Sequence, residues 1–154
     1  MLDYRITRER LPSQVRLTKN AGFCAGANLA VKRAYEILAS EDLREKQAVY
    51  MMGELVHNEI VTSDLIARGM KLAHSVDEIE EGALVLIRAH GISPQLRQAL
   101  LDKSCEIVDA TCGYVKRIHR IVEKAYREGK KIILSGKADH PEIIGINGQC
   151  NGEA

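Results

Sequence analysis

Two cysteines stand at similar places in the chain, each where a polar turn leads into a segment with helical spacing. Cys112 follows the apolar run 106–108, and Cys24 precedes another helical pattern. Unpaired backbone N–H groups and the dipole at a helix N-terminus favour a thiolate, and Lys116, one turn on, adds positive field. Thiolates bind iron and zinc, so the two cysteines form a candidate metal site. For either cysteine alone, burial for packing is the alternative.

Three of the five histidines stand, like the two cysteines, at predicted strand-to-helix junctions. These are His57, His90 and His140. Imidazolium N–H groups, together with backbone N–H groups at helix N-termini, suit an anion such as phosphate or diphosphate. The alternative for His57 and His90 is a buried histidine bonded to a backbone carbonyl. His119 lies within the helical pattern after Cys112, and we expect a partly exposed helix residue there.

Glu142 follows His140 by two residues, across a proline that marks a helix start. A carboxylic acid that burial keeps protonated can donate a proton in a site that also binds an anion. An acid in the first turn of a helix also stabilises that helix without any catalytic role. Glu142 is therefore a candidate proton donor, with helix stabilisation as the competing interpretation.

Other residues of chemical interest have simpler interpretations. Cys105 and Cys150 lack the context of a strand end, so packing explains them better than metal ligation. For Arg88 and Lys116 the simpler interpretation is a solvated charge.

Short apolar runs alternate with helical patterns along most of the chain. Strands are predicted at 15–18, 48–52, 83–87, 106–108 and 131–134. Helices are predicted after Cys24, from Asn58 to Gly69, from the Ser93 cap with Pro94 at its first position, from Cys112 to Gly129, and from Pro141. Apolar strands separated by helices indicate a parallel α/β fold covered on both faces. Ligands of such sheets bind beyond the carboxyl ends of the strands, so we expect the junction side chains to share one crevice.

The pattern of a polar turn with one cysteine followed by an amphipathic helix occurs around Cys24 and again around Cys112. This repetition predicts two related α/β lobes, one following the other, with the boundary near residues 102–104. The predicted domains are a leader at 1–13, a first lobe at 14–102 and a second lobe at 103–154.

Composition excludes several classes of function. The net charge is +1 with basic residues spread along the chain, and aromatic residues make up 4%, which argues against a nucleic-acid-binding protein. No apolar run is long enough to span a bilayer, and the N-terminus has no apolar signal segment, so we expect a cytoplasmic protein without membrane partners. In a reducing compartment the four cysteines are expected as thiols or metal ligands.

Five motifs resemble those of one enzyme family, 4-hydroxy-3-methylbut-2-enyl diphosphate reductase. They are GFCAGANLAV around Cys24, HNEIV at His57, RAHGIS at His90, VDATCGYVKRIH at Cys112 and GKADHPEIIGINGQ at His140. The similarity runs in order from about Gln14 to Gln149. Family members are iron–sulfur enzymes that end the non-mevalonate isoprenoid pathway.

The resemblance implies a role for each of these motifs. It implies that Cys24 and Cys112 ligate a [4Fe–4S] cluster, that His57, His90 and His140 bind the substrate diphosphate, and that Glu142 relays a proton. The implied reaction is a reductive dehydroxylation to isopentenyl and dimethylallyl diphosphates. An electron donor such as ferredoxin or flavodoxin is the implied partner.

The chain departs from the family pattern in length and at the second cysteine. Family members have three lobes and about twice this length, so the resemblance implies one complete α/β lobe and part of a second in residues 14–154. The third lobe, the third cluster cysteine and a Ser/Asn pair have no counterpart here. Gly113-Tyr114 replaces the usual Pro-Leu. We therefore expect weak or no activity from the isolated chain, with a second chain as the source of the missing lobe. The alternatives are a non-catalytic module that binds diphosphate or docks on a partner, and a zinc protein using Cys24, Cys112 and a histidine.

Overall fold

The computed structural model describes residues 16, 18–19, 21–40 and 48–154. The elements in chain order are α1 (Ala25–Ala39), β1 (Val49–Met52), α2 (Glu59–Ala67), β2 (Lys71–Ala73), a single 3-10 turn (Val76–Glu78), β3 (Leu84–Ile87), α3 (Pro94–Asp102), β4 (Glu106–Asp109), α4 (Gly113–Arg127) and α5 (Pro141–Gly148). Strands and helices alternate along most of this order, as the sequence predicts.

The strands of the described residues form one parallel sheet in the order β2-β1-β3-β4. Met51 of β1 lies opposite Leu86 of β3, which in turn lies opposite Val108 of β4. The predicted parallel α/β fold is therefore confirmed. Because all four strands run in the same direction, their carboxyl ends meet at one edge of the sheet.

Two apolar layers cover the two faces of the sheet, because successive strand residues point to opposite sides. On one face, Met51 and Leu86 pack with Val31 of α1 and Leu65 of α2. On the other face the core comprises Tyr50, Val85, Ile87, Ile79 and Leu100. Every residue of β1 and β3 is buried, as expected of central strands in a sheet covered on both sides.

Polar side chains cap the helices at the predicted positions. The Asn58 side chain accepts hydrogen bonds from the N–H groups of Ile60 and Val61, and Ser93 accepts one from Leu96. Each cap satisfies backbone donors that have no partner within the helix. In the described part of the chain, no helix has both the length and the apolar composition that crossing a bilayer requires.

Two short segments differ from the sequence prediction. The strand predicted at 131–134 is wrong, because this segment is irregular and Ile133 is 92% exposed. A strand needs a hydrogen-bonding partner, and within the described ranges none is paired with it. Strand β2 is not predicted, because Lys71–Ala73 is a three-residue edge strand with an exposed lysine.

The division into lobes stays a prediction. The leader at 1–13 and two of the four residues of the strand predicted at 15–18, Val15 and Leu17, lie outside the described residues. Strand β4, placed in the second lobe, hydrogen-bonds to β3 and so belongs to the same sheet as the first lobe. Helix α1 packs on this sheet, whereas α4 packs mainly against α5.

Candidate functional site

Three histidines converge at the edge where the parallel strands end. His57 lies in the loop after β1, His90 follows β3, and His140 is the N-cap of α5. The ring centroids are 4.9 Å apart for His57 and His90, 5.4 Å for His90 and His140, and 5.7 Å for His57 and His140. One ring nitrogen from each residue lies within 4.8 Å of the others. We refer to these three residues as the histidine cluster.

The hydrogen bonding of His140 fixes which ring nitrogen faces a ligand. Its Nδ1 accepts a hydrogen bond from the backbone N–H of Glu142 at 3.2 Å. An imidazole whose Nδ1 accepts carries its proton on Nε2. His140 therefore caps α5 with one nitrogen and has an N–H donor available on the other.

His90 is the most perturbed member of the histidine cluster. Burial lowers the pKa of His90, and the nearby charges of His57, Arg88 and His140 act in the same direction, so that the pKa falls to about 4. Its Nδ1 is buried with no hydrogen-bond partner among the described residues. At neutral pH His90 is therefore an uncharged imidazole, which differs from the cationic donor that anion binding suggests at first sight.

The two junction cysteines lie at the same edge as the histidine cluster. Cys24 is the exposed N-cap of α1, and its Sγ accepts a hydrogen bond from the N–H of Ala27 at 3.5 Å. Cys112 is the N-cap of α4, and a Cβ built on Gly26 would lie 2.6 Å from its Sγ. The thiol of Cys112 therefore packs against the first turn of α1, two residues from Cys24.

A backbone contact connects the cysteines to the histidine cluster. The N–H of Cys112 donates a hydrogen bond of 2.9 Å to the carbonyl of Ala89, the residue before His90. The loop after β3 thus touches both groups. Sulfur and imidazole groups that are far apart in sequence share one edge of the sheet, as the junction pattern predicts.

The donor set at this edge suits iron or zinc. Two thiols stand at helix N-termini, where negative charge is favoured, and soft thiolate ligands are those that iron–sulfur clusters use. The absence of a side chain at Gly26 leaves the space that the Sγ of Cys112 occupies. Cys105 and Cys150 are buried away from this edge, Cys150 with its Sγ against the Asn147 carbonyl. The histidine cluster is a separate set of three nitrogens that neutral imidazoles can offer to a divalent metal.

Glu142 lies half-buried in the first turn of α5. Its backbone N–H takes part in the cap by His140, while its carboxylate partly offsets the lowering of the His119 pKa by burial. The structure thus places Glu142 beside a member of the histidine cluster. Its role as a proton donor stays a prediction.

His119 is half-buried, and the sequence does not indicate what surrounds its ring. A Cβ on Gly91 would lie 2.8 Å from its Cε1, and one on Gly145 would lie 3.5 Å from its Nε2. That Nε2 is buried without a hydrogen-bond partner in the part of the chain that the structure describes. Burial lowers the pKa of His119, partly offset by Asp109 and Glu142. The His119 ring, which belongs to α4, thus contacts both the turn after His90 and helix α5.

Arg88 is not the solvated charge that the sequence suggests. A Cβ on Gly53 would lie 2.5 Å from its Nη1 and 3.1 Å from its Cζ, so the guanidinium lies directly over this glycine. Its Nε is buried and unpaired among the described residues. Burial lowers the pKa of Arg88, while the carboxylate of Glu54 acts in the opposite direction. The sequence holds no local signal for this arrangement, because Gly53 and Arg88 belong to neighbouring strand ends.

The ammonium group of Lys116 raises the electrostatic potential at Cys112 less than its sequence position suggests. Its Nζ lies 3.4 Å from Asp109, and Asp109 also pairs with Arg97 at 2.6 Å. Burial opposes ionisation of Asp109, but hydrogen bonds from Thr111 and these two cations outweigh it and lower the pKa of the carboxyl. The charge of Lys116 is therefore largely compensated by Asp109.

Comparison with known proteins accounts for the combination of these motifs. The family model of the LytB protein matches residues 15–154. The chain belongs to the LytB family. Within the family, the 4-hydroxy-3-methylbut-2-enyl diphosphate reductase of Aquifex aeolicus is 40% identical over 141 residues, which cover 89% of this chain and 47% of the relative. The reductase of the same name from Thermoanaerobacter sp. strain X514 is 36% identical over 143 residues, which cover 92% of this chain and 49% of the relative.

Solved structures of LytB-family enzymes have the same fold. The E-1-hydroxy-2-methyl-but-2-enyl-4-diphosphate reductase of Plasmodium falciparum superposes with a TM-score of 0.80 at 31% identity, covering 88% of this chain and 41% of that one. A second structure, (E)-4-hydroxy-3-methyl-but-2-enyl diphosphate reductase, described as the terminal enzyme of the non-mevalonate pathway, gives a TM-score of 0.75 at 37% identity. It covers 90% of this chain and 47% of that one. The chain thus spans about half the length of these relatives.

Proposed function

We propose that this chain provides the diphosphate-binding histidines and two of the cluster thiolates of a 4-hydroxy-3-methylbut-2-enyl diphosphate reductase. The observation that carries the proposal is the convergence of three imidazoles, with ring nitrogens within 4.8 Å of one another, beside the loop that contacts Cys112. The names of the LytB relatives support the substrate and the non-mevalonate pathway. The balanced reaction takes an allylic alcohol, two electrons and two protons, and gives an alkene and water.

The histidine cluster is the proposed site for the substrate diphosphate. His140 offers Nε2–H because its Nδ1 accepts from the Glu142 backbone. His57 is exposed, with its Nδ1 3.9 Å from Glu54, and so is accessible to an incoming anion. A bound diphosphate would favour protonation of His90, because an adjacent negative charge raises the pKa of an imidazole.

Cys24 and Cys112 are the proposed cluster ligands of this chain. When bound, an iron–sulfur cluster supplies reducing electrons and a Lewis-acidic iron. The helix N-termini at both cysteines hold the thiolates at the edge where the diphosphate binds. Glu142 is the proposed proton source for the departing hydroxyl, from its place beside His140.

Anaerobic reconstitution with iron and sulfide tests the thiolate assignment. We expect the chain to take up iron and acid-labile sulfide with a broad visible absorption, and Cys112→Ala to lose both. Cys105→Ala is the matched control, because Cys105 is buried in the core of the opposite sheet face. Equal iron uptake by Cys112→Ala and the unaltered chain would refute the assignment.

A non-catalytic diphosphate-binding module is the second candidate function. The specific observation in its favour is that the histidine cluster is complete within the described residues, while these residues bring only two thiols to the edge. Calorimetry with inorganic diphosphate on iron-free protein separates the two. Tight binding by a chain that never retains iron favours the module, and iron uptake that depends on Cys112 favours the reductase.

The proposed partners are an electron donor, such as ferredoxin or flavodoxin, and a polypeptide that supplies the remaining lobe. Segment 131–134 supports the second partner, because it has no strand partner within the described residues and its Ile133 side chain is 92% exposed. Ile132 and Leu134 of the same segment pack on the apolar cluster between α4 and α5. A strand-forming segment with one exposed side can accept an added strand.

A further inference from the structure

The guanidinium of Arg88 lies between the ends of β1 and β3, the strands that are followed by the loops of His57 and His90. Arg88 follows β3 and precedes His90 by two residues. Its guanidinium reaches sideways over Gly53, the residue after β1, so that a Cβ there would lie 2.5 Å from Nη1. The same loop continues to His57 four residues later.

Nothing in the described part of the chain neutralises this cation directly. Its guanidinium has no hydrogen-bond or ion-pair partner there, and its Nε is buried. Glu54 acts on it only electrostatically and is itself 3.9 Å from His57. By contrast, Arg97 pairs with Asp109 and Arg68 with Asp64. A half-buried cation without a partner is costly, and an anionic ligand removes that cost.

The histidine cluster needs such a cation to hold a highly charged anion. His90 is neutral at pH 7 in the free protein, because burial and its positive neighbours disfavour its charged form. His140 is a neutral donor while it accepts the cap hydrogen bond. An arginine stays charged at any physiological pH and offers several N–H donors that match phosphate oxygens.

We propose that Arg88 is a further ligand-binding residue, whose guanidinium, set over Gly53 and two residues before His90 in the chain, pairs with an oxygen of a bound diphosphate. This inference rests on the proposed function and adds to it a fixed charge that the histidine cluster lacks. Gly53 is then a requirement of the site, because a side chain there would occupy the space of the guanidinium.

Calorimetric titration with inorganic diphosphate at pH 7.5 tests the proposal on the full chain. Arg88→Met keeps the apolar stem and removes the charge, so we expect affinity to fall by at least about tenfold, as for loss of a charge-assisted hydrogen bond. Arg88→Lys keeps the charge and should recover part of the loss. Arg117→Met is the control, because Arg117 is exposed on α4. The control should stay within about twofold of the unaltered chain.

A second measurement does not depend on how well the variants fold. In the unaltered chain, the Nε–H resonance of Arg88 should shift on addition of diphosphate while that of Arg117 does not. Binding by the unaltered chain with no shift at Arg88, or with Arg88→Met within about twofold of it, overturns the inference alone. Failure of the unaltered chain to bind diphosphate at all overturns the proposed binding role of the histidine cluster, and this inference with it.

Discussion

At the scale of single residues, burial changes what a histidine can do. His90 is half-buried within the histidine cluster, and its pKa falls from an ordinary value of 6.5 to about 4. Because the folded-state pKa lies below the unfolded value, the unfolded chain binds a proton that the native chain excludes between these pH values. The free energy of unfolding therefore decreases as the pH falls from about 6.5 to about 4. Above about pH 6.5, His90 makes no pH-dependent contribution to it.

Chemical unfolding checks this first prediction. Between pH 7 and pH 4.5, the free energy of unfolding should fall more for the unaltered chain than for His90→Gln, which has no proton to gain. NMR titration of the His90 ring gives its pKa directly. Added diphosphate should raise that pKa, and an ordinary value in the ligand-free chain would contradict the prediction.

Gly26 gives a second prediction at this scale. Gly26→Ala places a methyl group where the Sγ of Cys112 lies, so that the thiol must move away from Cys24. Iron uptake should fall, although alanine is the better helix former by up to about 1 kcal/mol. Gly113→Ala is the matched control, since no atom lies within 4 Å of the added Cβ and uptake should not change. Equal uptake by both variants would show that this contact does not position the thiol.

The sequence predicts some of these residues and not others for a physical reason. Cys24, His57, His90, Cys112 and His140 stand at element junctions, and junctions can be identified from local apolar patterns. The environment of Arg88 depends on Gly53 of another strand end, and that of His119 on Gly91 and Gly145. Such contacts follow from the pairing of elements, which local patterns do not specify.

At the scale of elements, His119 joins three pieces of the site. It belongs to α4, whose N-cap is Cys112, and its ring packs against the turn after His90 and against α5, whose N-cap is His140. The positions of two junction histidines relative to Cys112 therefore depend on one ring.

The third prediction concerns the loss of this ring. His119→Ala should lower the free energy of unfolding by about 1–3 kcal/mol, because it leaves a cavity between the elements. It should also shift the ring resonances of His90 and His140. His119→Phe, which fills the space without the buried Nε2, should recover most of the stability. His74→Ala is the exposed control, and a His119→Ala variant as stable as that control would contradict the packing role.

Strand prediction at this scale succeeds where a run has partners and fails where it does not. The runs at β1, β3 and β4 form strands because each pairs with a neighbour. Segment 131–134 has the same apolar composition but no partner in the described ranges, so it stays irregular. Apolar composition predicts a capacity to form a strand, and pairing decides whether one forms.

At the scale of the whole molecule, the fourth prediction uses that segment. Ile133→Lys should change the free energy of unfolding of this chain by less than about 0.5 kcal/mol, because Ile133 is 92% exposed. Ile146→Ala, at a buried position in α5, should cost about 2–5 kcal/mol. Ile132 and Leu134 already pack against the apolar cluster of α4 and α5, so a large effect of Ile133→Lys on the isolated chain would show that Ile133 packs there as well.

Complementation by a separate polypeptide is the last prediction. The chain spans about half of its LytB relatives, and its described residues bring two thiols to the site edge. A cluster held by two thiolates should be lost readily in air, because iron–sulfur clusters are generally held by more thiolates than two.

The matched partner is the portion of the Aquifex aeolicus reductase beyond the part that aligns with this chain. Adding it under anaerobic conditions should slow loss of the visible absorption and raise reductase turnover with a chemical reductant. Ile133→Lys should weaken this effect, because it places a charge on the segment that the added lobe would cover. Full turnover by the isolated chain would contradict the need for a second lobe. A partner that binds without slowing loss of the cluster would show that the missing ligand does not come from that lobe.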